Sequence, residues 1–366
     1  MKSSKPRLLS GDTPTGKLHL GHWVGSLETR LALQKDYDCY FIIANVHAFT
    51  TQAEFPMEIR QHTLDIALDY LSVGMDPKKS VIFIQSEVPA IAELTWFFSM
   101  LLPFQRVMRN PTVKEEIRNK NLGDHYPFGF LLYPVGQIAD ILAFRPELVP
   151  VGEDQLAHLE MARECARRFN QVYCGIDSQT KDEDYVTKGG LFPIVQAKLG
   201  RVKRLVGTGG PNADGLLRKM SKSLNNAIYL SDDADTISKK VMGMYTDPKR
   251  LHASDPGSTE NNPLWIFHEA FNPDKAWVQE AEEKYRQGQL KDVDCKRKLI
   301  EILVALTQPM RERRKLYEKD SAMILSILKQ GTERANELAE DTLMKAKKMM
   351  RQDYFKRELR LISVSS

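Results

Sequence analysis

The first 170 residues alternate short apolar runs with longer stretches of helical periodicity, and this alternation limits the folds open to the chain. Apolar runs at residues 8–9, 40–44, 81–84 and 148–151 predict buried strands. Helical patterns at residues 19–33, 57–71, 90–102, 130–142 and 153–169 lie between or after them. Strands that alternate with helices predict an α/β fold, a Rossmann-like doubly wound parallel sheet with helices on both faces. In such sheets ligands bind beyond the carboxyl ends of the strands.

The strand signals stop after about residue 232, and helical patterns continue to the end of the chain. We therefore predict two domains, a catalytic α/β domain at residues 1–234 and an all-helical domain at residues 235–366. A glycine-rich segment with several basic residues, residues 205–231, predicts a mobile loop just before the boundary. Within the helical part, Gly331-Thr332 predicts a break between helices.

Composition excludes several classes of protein. The longest stretches without charge, residues 39–53 and 125–139, are shorter than the ~20 apolar residues that a membrane-spanning helix needs. The start of the chain has no apolar segment typical of a secretory signal. The four cysteines have no CxxC spacing, which argues against a disulfide framework or a zinc ribbon. We therefore expect a cytoplasmic protein without a membrane segment.

The charge is unevenly distributed along the chain. Residues 291–366 carry 18 Lys and Arg against 12 Asp and Glu, whereas the rest carries 34 against 36. A basic helical region could bind a polyanion, although a solvated helical surface explains the same charges and is favoured by charge alone.

The first motif with chemical meaning spans residues 14–22, PTGKLHLGH, between the first strand and the first helix. A helix N-terminus presents free backbone N–H groups and a positive dipole end, which suit a phosphate. His19 and His22 share a helix face and could both donate to phosphate oxygens, and Gly21 would let a flat base lie against the backbone. The alternative is a capped helix with two incidental histidines.

The second motif is KMSKS at residues 219–223, on the glycine-flanked segment. Two lysines three residues apart could close over a polyphosphate and offset charge as pyrophosphate leaves. A solvated basic loop is the alternative, but these five letters arise by chance in a chain of this length only about once in ten thousand.

Together the two motifs resemble the HIGH and KMSKS signatures of class I aminoacyl-tRNA synthetases. Residues 133–141, YPVGQIADI, and 149–155, VPVGEDQ, are similar to the specificity helix and GEDQ turn of bacterial tryptophanyl-tRNA synthetases. Residues 45–48, NVHA, fit that family too. The similarity extends from residue 7 to about residue 250.

The resemblance implies the following roles. The catalytic residues would be His19, His22, Lys219 and Lys222. The ATP site would comprise Thr13, Pro14, Thr15, Gly21, His22, Gly152, Glu153, Asp154, Val202, Lys219, Met220, Ser221, Lys222 and Ser223. The amino-acid site would comprise His47, Tyr133, Gln137, Asp140, Val151 and Gln155.

Asp140 would set the specificity, because in this family that carboxylate accepts a hydrogen bond from the indole N–H. A ligand that cannot donate, such as phenylalanine, would leave the carboxylate unpaired. Tyr133 and Gln137 lie one or two turns away on roughly the same helix face. A surface carboxylate or an ion-pair partner is the alternative.

The resemblance implies a tryptophan–tRNA ligase that forms tryptophanyl-adenylate from ATP and transfers the acyl group to the 2′-hydroxyl of the terminal adenosine of tRNA(Trp). Mg²⁺ would bind through the ATP phosphates, with no metal ligands from the protein. The enzyme would be a homodimer whose helical domain meets the anticodon. The alternatives are a tyrosine-specific relative, a nucleotidyl transferase that acts without tRNA, and a non-catalytic tRNA-binding paralogue.

Overall fold

A five-stranded parallel sheet forms the centre of the molecule. Its strands are β1 (Arg7–Asp12), β2 (Asp38–Ile43), β3 (Ser80–Ile84), β4 (Leu148–Val151) and β5 (Gln196–Leu199). They lie in the order β3-β2-β1-β4-β5, so the direction of winding reverses between β1 and β4. The predicted doubly wound α/β fold is therefore confirmed, and a crevice is expected at the carboxyl ends of β1 and β4.

This computed structural model describes residues 5–119, 126–202, 204–222, 224–248, 250, 252, 254–359 and 361. Helices connect the strands of the sheet. They are α1 (Leu20–His22), which continues through a π-helical segment (Trp23–Leu27) into α2 (Glu28–Leu33), then α3 (Asn45–Gln52), α4 (Pro56–Val73), α5 (Pro89–Ser99), α6 (Phe104–Met108), α7 (Pro111–Asn119), α8 (Phe128–Leu142) and α9 (Leu156–Cys174).

The region after residue 233 is helical, as predicted. Its helices are α10 (Ala234–Met242), α11 (Pro263–Phe271), α12 (Lys275–Arg286), α13 (Asp292–Tyr317) and α14 (Ser321–Met349). The predicted break at Gly331 is wrong, because α14 runs through it. A Cβ atom at Gly331 would lie 1.9 Å from the carbonyl oxygen of Ile82, so glycine is needed here for close packing on β3.

Alternate residues of the strands point into two hydrophobic cores, one on each face of the sheet. Leu8 and Phe41 belong to the core that also contains α4 and the helices α10–α13. Leu9 and Ile42 belong to the core formed with α5, α8, α9 and the second half of α14. The C-terminal helices therefore pack directly on the sheet, and α13 contacts α4 while α14 contacts β3.

The sequence analysis missed one strand, β5. It reads Gln196-Ala-Lys-Leu and lies at the edge of the sheet with three of its four residues exposed. An edge strand buries little, so it has no apolar run from which to predict it.

Candidate active site

A cleft of about 940 Å³ opens at the carboxyl ends of β1 and β4, where the winding of the sheet reverses. Segments that the sequence analysis singled out separately meet around this space. The predicted site residues that line it are Thr13, Thr15, His19, Gly21, His22, His47, Tyr133, Gln137, Asp140, Val151, Gly152, Asp154, Gln155, Lys219, Met220, Ser221 and Lys222.

The two histidines of the first motif follow the turn after β1. His19 precedes α1, and its Nδ1 accepts a hydrogen bond of 3.1 Å from the backbone N–H of Gly21. The backbone N–H of His19 in turn donates to Nδ1 of His22, also at 3.1 Å. Because both Nδ1 atoms are acceptors, each neutral ring carries its proton on Nε2 and can donate from there.

Both histidines are held in the neutral form. Burial, together with the neighbouring His22 and Lys222, lowers the pKa of His19 to about 2. Burial also lowers the pKa of His22 to about 4. The ring centroids are 3.9 Å apart, a distance at which two positive rings would repel strongly. The pair therefore offers uncharged N–H donors at neutral pH.

The lysine loop lies against this turn. Lys222 Nζ donates to the backbone carbonyl oxygen of Gly16 at 2.7 Å, and burial lowers the pKa of Lys222 to about 8. Lys219 Nζ lies 3.4 Å from Asp154 Oδ2 in the turn after β4. That lysine lowers the pKa of Asp154 although burial opposes the shift. The two ammonium groups thus face the cleft from one loop.

The segment predicted as a mobile loop is anchored at several points. Met220 between the lysines is 2% exposed, and its backbone N–H donates to the carbonyl oxygen of Leu205 at 3.0 Å. The backbone N–H of Ser221 donates to Asn226 Oδ1 at 2.8 Å. Ser223 lies outside the described residues.

The floor of the cleft contains an ion pair that the sequence analysis missed. Asp12 accepts hydrogen bonds from Arg30 Nη1 at 2.6 Å and from the Tyr70 hydroxyl at 2.7 Å. Burial alone would raise the pKa of Asp12, but the charge of Arg30 and these hydrogen bonds lower it to about 2. The three residues lie far apart in sequence, so no local spacing connects them.

Asp140 lies on α8 in the wall of the cleft and is 4% exposed. Gln85 Nε2 donates to both of its carboxylate oxygens, at 2.7 and 3.0 Å, and His47 Nε2 lies 2.7 Å from Oδ2. The backbone N–H of Val46 holds the Gln85 side chain by its Oε1 atom at 3.0 Å. Gln85 was not predicted, because it follows a strand without any motif.

Other predicted amino-acid residues surround Asp140. Gln137 Nε2 donates to Gln155 Oε1 at 2.9 Å, which connects α8 to the turn after β4. The Tyr133 ring lies edge-on to His47 with centroids 6.1 Å apart, and burial raises the pKa of Tyr133. Buried His158, which was not predicted, packs on Tyr133 from α9.

Three predicted ATP-site residues lie beside the cleft rather than in its wall. Pro14 is buried within the turn, and Glu153 is exposed in the turn after β4. The backbone N–H of Val202 donates to the carbonyl oxygen of Val24 at 3.4 Å. Arg204, which the sequence analysis did not select, does line the cleft.

In the described part of the chain, no group of three or more His, Cys, Asp or Glu side chains is arranged to hold a metal ion. None of the helices in that part combines the length and apolar character required to cross a membrane.

The chain is similar to known proteins both in sequence and in structure. The family of tRNA synthetases class I (W and Y) matches residues 1–308. A tryptophan–tRNA ligase of Chlamydia caviae is 45% identical over 346 residues, which is 93% of this chain and 94% of that protein. One from Clostridium longisporum is 44% identical over 354 residues, 96% of this chain and 98% of that protein. The crystal structure of tryptophanyl-tRNA synthetase from Campylobacter jejuni with ADP and tryptophan superposes with a TM-score of 0.76 at 29% identity, covering 94% of this chain and 99% of that one.

Proposed function

This chain belongs to the class I tRNA synthetases for tryptophan and tyrosine, and we propose how its cleft carries out the reaction of that family. Its activity is the ATP-dependent ligation of tryptophan to tRNA. The amino-acid carboxylate attacks the α-phosphorus of ATP, pyrophosphate leaves, and the acyl group then passes to the 2′-hydroxyl of the terminal adenosine of tRNA(Trp). Positioning and charge stabilisation suffice for both steps, so no side-chain nucleophile is required.

The observation that carries this assignment is that the two segments proposed for phosphate and a buried carboxylate line one cleft. Lys222, His19, His22 and Asp140 all belong to its wall. ATP bound at Lys222 and the histidines and an indole ring bound at Asp140 would bring the tryptophan carboxylate and the α-phosphorus together between them. Two substrates held this way react as if in a single molecule.

The phosphates are the charged part of ATP, and the signature residues fit them. His19 and His22 would donate from Nε2, and Lys222 would exchange the Gly16 carbonyl oxygen for a phosphate oxygen. Lys219 would leave Asp154 in the same way, which frees that carboxylate to accept from a ribose hydroxyl. These donors would stabilise the charge that develops on pyrophosphate as it leaves.

Asp140 would select tryptophan by accepting the indole N–H. Hydrogen bonds with Gln85 and His47 fix the orientation of the carboxylate, so the indole ring must orient its N–H toward the carboxylate. Tyr133, Gln137, Val151 and Gln155 would enclose the ring. Phenylalanine has no donor to add to these hydrogen bonds, and the lost hydrogen bond to a charged group, ~1.5–3 kcal/mol, disfavours it.

Mg²⁺ would be held by the ATP phosphates. When bound, it would neutralise phosphate charge.

Further proposals concern partners and location. Exposed Trp96, Met100, Phe104 and Phe128 near α5, α6 and α8 support a homodimer, because a monomer gains nothing from exposing them. The net positive charge of residues 291–366 supports contact with the tRNA anticodon region. The four cysteines are unpaired, which supports a reducing cytoplasm.

Amino-acid-dependent exchange of pyrophosphate into ATP tests the proposal, run separately with tryptophan, tyrosine and phenylalanine. We expect exchange with tryptophan and little with the other two. Exchange with tyrosine in place of tryptophan would keep the reaction but remove Asp140 from its role. No exchange with any of them would favour a tRNA-binding paralogue.

A further inference from the structure

A buried ion pair joins the C-terminal helical region to the turn that carries the first motif. Asp69 on α4 is 1% exposed, and its Oδ1 accepts a hydrogen bond from Arg314 Nη1 on α13. Its other oxygen, Oδ2, accepts the backbone N–H of Leu18 at 2.8 Å. One carboxylate therefore connects α13 to the residue that directly precedes His19.

Burying this ion pair costs hydration free energy, so we consider a role for it other than stability. Burial raises the pKa of Asp69 to about 6, although the charge of Arg314 opposes the shift. A buried ion pair contributes little net stability, because both charges lose their hydration, and its best-supported benefit is to specify one arrangement of the parts it joins. Arg314 is itself fixed by a second hydrogen bond, from Nε to Glu318 Oε1 at 2.8 Å.

Leu18, whose N–H donates to Asp69, directly precedes His19 in a segment that is held by several backbone hydrogen bonds. The carbonyl oxygen of Leu18 accepts the backbone N–H of Leu230 at 3.0 Å, and the N–H of Leu20 donates to Ile228 at 2.9 Å. The segment after the lysine loop thus holds one side of residues 18–20. Asp69 holds the Leu18 N–H in addition, so the backbone that leads into the histidine pair is fixed partly by this carboxylate.

We infer that Arg314 is a positioning residue for ATP: by orienting Asp69 it fixes Leu18 and hence the His19–His22 pair, and it thereby couples α13 to nucleotide binding. The inference rests on the proposed function, since it assigns ATP to the His19–His22 pair. In that proposal tryptophan binds at Asp140, which is held by Gln85 and His47 and not by Asp69 or Leu18, so Arg314 should affect the two substrates unequally.

The neighbouring residue provides a matched control. Arg313 also joins α13 to α4, through hydrogen bonds from Nε to the Ser72 carbonyl oxygen at 2.7 Å and from Nη2 to that of Val73 at 3.2 Å. These contacts lie at the end of α4 and do not involve Asp69 or Leu18. Arg313→Gln therefore weakens the same helix packing while it leaves the connection to the turn intact.

The experiment measures the KM for ATP and for tryptophan in pyrophosphate exchange by the full-length chain, with thermal unfolding recorded for each variant. For Arg314→Gln we expect the ATP KM to rise about tenfold, the order set by loss of one hydrogen bond to a charged group, with the tryptophan KM within about twofold of the unmodified chain. Asp69→Asn should behave in the same way. Arg313→Gln should lower the unfolding temperature without this selective change.

Arg314→Lys keeps a charge near Asp69 but loses the planar fork, so it should give a smaller rise and still fold if the glutamine variant does not. Equal changes in both KM values, or the same selective ATP effect in Arg313→Gln, would overturn the inference, as would an unchanged ATP KM in Arg314→Gln. Absence of tryptophan-dependent exchange in the unmodified chain would instead contradict the proposed function.

Discussion

Lys222 Nζ donates to the backbone carbonyl oxygen of Gly16 at 2.7 Å, although 206 positions separate the two residues in the chain. This hydrogen bond connects the two signature segments directly. It also occupies the ammonium group that we propose for the phosphates of ATP. If ATP binds as proposed, Lys222 would already lie beside the nucleotide, and a short movement of its side chain would complete the site.

The lowered pKa of Lys222 predicts an alkaline limit to activity. Burial places this pKa at about 8, so the free enzyme loses the positive charge as pH rises through that value. The kcat/KM for ATP reports groups of the free enzyme, and we expect it to fall from about pH 8 upward. The measurement is the pH profile of pyrophosphate exchange at subsaturating ATP.

Lys222→Arg is the matched variant for this profile, because a guanidinium stays protonated throughout the range. In this variant the fall in kcat/KM for ATP at alkaline pH should disappear or move well above pH 8, whatever the absolute rate of exchange. The same fall at the same pH in Lys222→Arg would assign the titration to another group.

Asp140→Asn should weaken tryptophan binding. The amide keeps the size of the side chain but loses the charge, and its NH₂ group would face a donor from Gln85 or His47. We expect a rise of about 10- to 100-fold in the tryptophan KM, corresponding to ~1.5–3 kcal/mol for a hydrogen bond to a charged group. Steady-state exchange with tryptophan and phenylalanine measures both affinity and discrimination.

Asp36→Asn provides the control, since Asp36 is an exposed carboxylate in the turn before β2. It should leave both KM values unchanged. Unaltered discrimination against phenylalanine in Asp140→Asn would show that other residues select the indole ring.

Gly16→Ala should damage both the turn and the lysine contact. Gly16 has a φ of +125°, which L-residues avoid, and a new Cβ would lie 3.2 Å from Lys222 Cδ. We expect a loss of ~1–3 kcal/mol in the free energy of unfolding and a lower rate of exchange. Gly129→Ala, whose Cβ would enter open space in α8, should lower neither. Equal stability of the two variants in urea would contradict the strain argument.

Gly331→Ala tests the packing of α14 on the sheet. In a free helix this change adds ~1 kcal/mol of stability, but here the Cβ would lie 1.9 Å from the Ile82 carbonyl oxygen. We expect the free energy of unfolding to fall by ~1–3 kcal/mol, because α14 or β3 must shift. The adjacent exposed residue offers a control in Gln330→Ala, which should change stability by less than ~0.5 kcal/mol. A stabilised Gly331→Ala would show that the helix can move away at little cost.

Most strands and the sheet class were predictable because a buried parallel strand contains a run of apolar residues. Residues 148–151 show this, since the predicted run and the observed β4 coincide. β5 was missed for the converse reason, because an exposed edge strand has no such run. Gly331 was misread because glycine has two uses, to end a helix and to admit a close neighbour, and local sequence does not distinguish them.

The sequence by itself determined the family, because residues 14–22 and 219–223 resemble its two signatures and residues 133–141 resemble its specificity helix. Only the tertiary structure decided which groups fix the positions of the proposed site residues. Arg30 and Tyr70 under Asp12, Gln85 behind Asp140, and Arg314 behind Asp69 come from distant parts of the chain. Hydrogen bonds depend on distance in space, and folding alone brings such residues within 3 Å of each other.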